Sequence, residues 1–253
     1  MSSEPIPTVD EIVSTLKRSF IPTILIEGKD DAFVYRWLKK YIDINPVSLQ
    51  PCGGRENLFL IHDRRAEFAN NNVVFVADKD LYRFDGIPEC RGDVIFTSGY
   101  CIENDIYDGS TISDFVDDDD RAEHDLLKEI VGKWFAFELS KYMESGGNFS
   151  ANVSAHINVI APDGSECICQ VFAQRINYCT PSDEVIRRVN DEYGLNVRGK
   201  QLFQILSRLL SRAGRFSRFS DKNLIEIALK QENNQHLDRL ITEMSDCLAR
   251  GAT

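Results

Sequence analysis

The 253-residue chain predicts an α/β fold: a mostly parallel, Rossmann-like sheet flanked by helices, then a mainly helical C-terminal part. Three observations carry this expectation. Short β-branched runs, "TILI" at Thr23–Ile26 and "NVVFVA" at 72–77, are apolar on both faces, as buried parallel strands are. They alternate with stretches of helical period, the order of strand–helix–strand units. Beyond residue 112 helical spacing dominates.

The elements follow in order. Val9, Ile12, Val13, Leu16 and Phe20 lie at helical spacing and predict an amphipathic helix over 9–20. After the first strand, Val34, Trp37, Leu38 and Tyr41 share one face of a helix over 31–42. "PVSLQ" at 46–50 is a weaker strand, closed by the glycine turn "PCGGREN", which starts a helix over 56–69. The third strand spans 72–77, and "DVIF" at 93–96 is the fourth. "DFVDDDDRAEHDLLKEIVGKWFAFELSKYME" reads as a long helix whose aspartates suit the positive end of its dipole. "GGNFSANVSAHINVI" predicts a loop leading into a strand, and "ECICQVFAQRI" a second strand. Helices over 182–193, 199–213, 221–232 and 235–249 complete the chain, with one boundary expected between 1–112 and 113–253.

Composition narrows the function. No apolar run approaches the roughly 20 residues that span a bilayer. The opening "MSSEPIPTVDEI" lacks the basic and apolar stretches of a signal peptide, so a cytoplasmic location is expected. Seven cysteines without a CxxC read as reduced thiols, and four scattered histidines make no zinc motif, so any metal is expected on oxygen ligands. The net charge of −11 argues against indiscriminate polyanion binding. Residues 196–222 oppose this: seven basic residues stand there against the single acid Asp221. Arg198, Lys200, Arg208 and Arg212 are the candidate nucleic-acid contacts, with Arg215 at the same spacing. A solvated or partner-facing helix remains the alternative. "GLNVRGKQ" is set aside as a P-loop, because Gln201 replaces the Mg²⁺-binding hydroxyl and no strand precedes it. No GxSxG or Cys–His motif signals acyl transfer.

The acids at strand ends are the strongest chemical signal. Ligands of open α/β sheets gather beyond the carboxyl ends of the strands. Glu27 ends the first strand in "LIEGKDD", while Asp78 and Asp80 end the third in "VADKD". On neighbouring strands these carboxylates would share one rim, and Mg²⁺ needs only a few such ligands. Two ions can clamp both oxygens of a phosphodiester displacement. The bland alternative is polar turns and helix starts.

A strand ending in EGxxD followed downstream by a strand ending in DxD resembles the TOPRIM domain of primases, topoisomerases and OLD-type nucleases. The resemblance covers the chain up to about residue 110, with Glu27, Gly28, Asp31, Asp78 and Asp80 filling the pattern. It implies Glu27 as general acid/base or metal ligand, Asp78 and Asp80 as ligands of Mg²⁺ or Mn²⁺, and a supporting role for Asp31. "CGGRENL" and "YCIENDIYD" are further similar to the small TOPRIM effectors of the PARIS anti-phage system, the AriB family. That resemblance implies a toxic nuclease held by an ABC-type, AriA-like ATPase partner until triggered, with tRNA as substrate, and leaves a homodimer on release as an open expectation. Glu103 is then the third acidic catalytic candidate, with Asp105 as the alternative. Two rivals stay open: a degenerate TOPRIM protein acting as a binding or regulatory subunit, and a DxD-type phosphatase. Against the phosphatase, Tyr82 stands where haloacid dehalogenases carry Thr or Val.

Overall fold

A computed structural model describes residues 6–69, 71–147, 151–212, 214 and 217–250; Arg215 lies outside them. The chain opens with α1 (Val9–Leu16), β1 (Thr23–Ile26), α2 (Ala32–Leu38), β2 (Ser48–Pro51), α3 (Arg55–Asp63) and β3 (Val73–Ala77). Then come α4 (Tyr82–Asp85), β4 (Ile95–Phe96), α5 (Ile102–Asp108), α6 (Arg121–Glu144), α7 (Ile157–Ile160) and α8 (Gln170–Arg175). The last helices are α9 (Asp183–Asn190), α10 (Tyr193–Asn196), α11 (Gly199–Leu210), α12 (Asp221–Leu229) and α13 (Gln235–Arg250).

The elements fall into two compact units that interleave in sequence, not at a single boundary near residue 112. One holds the chain up to Lys79, Gly86–Thr97 and everything from Gln235; the other holds Asp80–Asp85 and Ser98–Asn234. The final helix returns to the first unit because it is tied to the sheet. Asn72 Nδ2 donates to the Leu248 carbonyl at 2.8 Å, and Arg239 donates to the Phe96 carbonyl at 2.7 Å.

The first unit is an α/β layer on a four-stranded, all-parallel sheet of order β2-β1-β3-β4. Thr23 pairs with Ser48 on one side and Val73 on the other; Ile26 pairs with Pro51 and Val76. Central β1 is buried throughout, which is why its sequence shows no alternation. The edge strand β2 is half-exposed and ends in Pro51, a residue an edge tolerates. The helix α1 is closed by a Thr8–Glu11 capping box but stops at Leu16, leaving Phe20 exposed. The predicted helix over 31–42 likewise ends at Leu38 and continues as a short 3-10 turn in which Tyr41 is exposed.

The second unit is helical. Trp134 and Phe135 of α6 are fully buried, and Phe135 meets Tyr100 edge-on at 5.6 Å between ring centroids. Helix α11 lays Leu202, Phe203, Leu206 and Leu209 into the same core. The two strands predicted after residue 150 are helices instead, α7 and α8. Buried Ile157 and Ile160 are three apart, the His156 Nδ1 caps α7 through the Asn158 N–H at 3.1 Å, and α8 buries only Phe172. Apolar runs this short carry no decisive period. Among the described residues no helix is long and apolar enough to cross a membrane.

A pH dependence arises here. Burial first, then the nearby Lys128 charge, pull the pKa of His124 on α6 below its ordinary value; Arg121 adds to this and Asp125 opposes it. The unfolded chain therefore takes up this proton more readily than the native one. The stabilising contribution is complete above the unfolded value of about 6.5 and is lost as pH falls below it through the lowered native value. Urea midpoints at about pH 7.5 and about pH 5.5 should fall less in His124→Gln than in the parent; an equal fall rejects the assignment.

Candidate functional site

The site grows from three strand ends. Because β1 lies between β2 and β3, Glu27, one residue past β1, stands in the middle of the rim. Its carbonyl accepts the Gly54 N–H at 2.8 Å, which ties the turn after β2 to the end of β1. Gly53 and Gly54 have φ of 84° and 130°, conformations that only glycine adopts without strain. This double-glycine turn aims Arg55, first residue of α3, back across the rim.

One oxygen of Glu27 organises the centre. Oε1 accepts the Asp78 backbone N–H at 3.0 Å and Arg55 Nε at 3.2 Å, and the same guanidinium donates to the Asp78 carbonyl. The Arg55 and Glu27 side chains are 23% and 16% exposed, so this pair is only partly screened by water. Phe59 supports it: its ring lies 5.8 Å from the Arg55 guanidinium and 4.5 Å from that of Arg91. Buried Cys52 lies behind the turn, its thiol pushed up to about 12 by burial and then by the Glu27 charge.

The EGxxD pattern has a local cause. A Cβ on Gly28 would sit 2.9 Å from Oδ2 of Asp31, so the glycine makes room for that carboxylate over the turn. Asp31 occupies the start of α2 yet makes no side-chain capping bond there, and Asp30 is exposed.

Asp78 belongs to the first unit; Asp80 belongs to the second. Asp80 adopts φ of 45°, a left-handed conformation that aspartate tolerates better than most residues. Its N–H donates to the Tyr100 carbonyl at 2.7 Å and its carbonyl accepts from Arg83 N–H at 3.1 Å, which holds the turn. The Glu103/Asp105 alternative separates by environment. Asp105 is fully buried and accepts the Ser98 and Gly99 N–H groups at 2.9 and 2.7 Å, one on each oxygen, a loop-holding role. Glu103, in the first turn of α5, is 6% exposed and lies 3.6 Å from Lys200 Nζ.

The cations of the basic stripe meet partners within the second unit. Arg208, its side chain 9% exposed, donates to Asn158 and to the Ala161 carbonyl and lies 3.5 Å from Asp163; burial holds its pKa below the usual value. Arg212 pairs with Glu123 and, at 2.8 Å, with Asp120. Both fasten α11 to neighbouring turns of the second unit. Arg198 donates to the Val153 carbonyl at 3.5 Å, and Lys200 faces Glu103. Helical spacing recorded the repetition of these cations but not the acids that meet them.

No protein-family model matches the chain, and no curated protein matches it.

The residues suit a hard cation. The rim presents the Glu27 carboxylate, on which a guanidinium already stands, while the Glu27 and Asp78 carbonyls accept the Gly54 N–H and the Arg55 guanidinium. Among the described residues no group of three or more His, Cys, Asp or Glu is gathered as a metal cluster. A divalent ion there would therefore rest on one or two carboxylates and water, the manner in which Mg²⁺ is commonly held. Arg55 is the site residue that pattern reading missed. The signal was available in two glycines after a strand followed by a cation at a helix start, where the dipole disfavours it.

Proposed function

We propose that this chain is a metal-dependent nuclease that hydrolyses phosphodiester bonds of RNA, tRNA by resemblance, as a toxic anti-phage effector restrained by an ATPase partner. The observation that carries the reading is the meeting of Glu27, the Asp78 peptide and a bound guanidinium at adjacent ends of parallel strands. That arrangement is a cation seat at the place where α/β sheets bind ligands. Glu27 and Asp78 would hold the ion. A divalent ion supplies Lewis acidity at the phosphoryl group and charge neutralisation for the polyanion. Glu27 would orient an incoming water and accept its proton.

A non-catalytic binding role has one observation in its favour, the neutralisation of Glu27 by Arg55. Incubation of the purified chain, alone and after release from its ATPase partner, with labelled tRNA, mRNA, single-stranded and duplex DNA separates the two. Cleavage of tRNA with Mg²⁺ and none with EDTA is expected. Metal-independent cleavage, or none under any of these conditions, rejects the nuclease.

A further inference from the structure

We propose that Arg55 is a resident competitor for the cation position on Glu27, a built-in counter-ion that a divalent metal must displace. The inference rests on the proposed metal role of Glu27. A divalent ion bound to Oε1 would lie about 2.1 Å away. That oxygen already accepts the Asp78 N–H and Arg55 Nε, at 3.0 and 3.2 Å. A guanidinium and a metal ion on the same oxygen would repel each other strongly in a half-buried rim. The charge on Arg55 cannot be shed, because guanidinium stays protonated at any working pH. An ion on Oε1 therefore requires the side chain to leave.

The position of Arg55 argues that the contact is selected against local preference. A cation as first residue of α3 faces the positive end of the helix dipole, where an acid would be favoured. Local rules broken without local compensation mark functional positions. The compensation here is remote in sequence: Glu27, the Asp78 carbonyl and the Phe59 ring. Held this way, the carboxylate is oriented and neutralised in the metal-free chain. On displacement the guanidinium is set loose beside the rim, where a phosphate would arrive.

Calorimetric titration of Mn²⁺ into the full chain, without substrate, tests this. Arg55→Met should bind Mn²⁺ about tenfold or more tightly than the parent, since a charge-assisted hydrogen bond no longer has to be broken. Arg55→Lys, which keeps the charge but loses the fork, should fall between, and it carries the test if the methionine variant does not fold. Arg91→Met is the charge control: its guanidinium flanks Phe59 but pairs with Asp63, and its affinity should stay within about twofold of the parent. Unchanged or weaker binding in the Arg55 variants, or an equal gain in Arg91→Met, overturns the competitor role and leaves the metal reading standing. No Mn²⁺ binding by parent or variants overturns both.

Discussion

Asn104→Ala is expected to destabilise the second unit by about 3–5 kcal/mol, among the largest losses a single substitution produces. Asn104 is fully buried at the start of α5. Its Oδ1 accepts the Cys101 and Gly199 N–H groups, each at 3.0 Å. Its Nδ2 donates to the Gly194 and Val197 carbonyls at 2.6 and 2.7 Å. Truncation leaves those four main-chain groups short of their partner in a place water does not reach, at a cost of about 1–3 kcal/mol for each one left unsatisfied, reduced by relaxation. The neighbours are packed to its shape: a Cβ on Gly99 would lie 2.4 Å from the Asn104 Cβ, and one on Gly199 would lie 2.7 Å from the Asn104 backbone N. Chemical denaturation should show a lower midpoint at unchanged slope. A loss below about 1 kcal/mol would mean that the network is not the hub it is drawn as.

Glu27→Gln is expected to lower the proposed cleavage by about 10²–10³-fold or more while the chain keeps its cooperative unfolding. Glutamine matches the shape of glutamate, and its Oε1 can still accept the Asp78 N–H. What it loses is the charge, on which the Arg55 pair and any cation seat depend. Stability should change by only about 1 kcal/mol, since one partly exposed ion pair becomes a neutral contact. Single-turnover assays with saturating Mg²⁺, beside melts of both proteins, check the two halves together. Activity within about tenfold of the parent would remove Glu27 from the chemistry.

Much of the first unit is legible in the sequence because its strands are buried on both faces. Residues 24–26 and 74–77 leave no room for a polar side chain, so their runs are unambiguous. The first polar residues after them, Glu27 and Asp78, are then rim residues by construction. The short apolar runs near Ile157 and Cys169 lacked such support, since strand and helical turn share a pattern at that length. Asp105 was equally illegible. A carboxylate that holds the Ser98 and Gly99 amides reads in sequence like one offered to a ligand.

By itself the sequence determined the α/β class, the four strands of the parallel sheet and the placement of acids at the ends of two of them, since burial on two faces leaves a local record. Only the tertiary structure decided which cation meets Glu27, that Arg208 lies beside Asp163 and Arg212 beside Asp120 and Glu123, and that α13 closes the first unit. Those contacts depend on strand order and on how far long side chains reach. The order β2-β1-β3-β4 brings the turn after β2 beside the end of β1, twenty-eight residues apart for Arg55 and Glu27, and no periodicity encodes that distance.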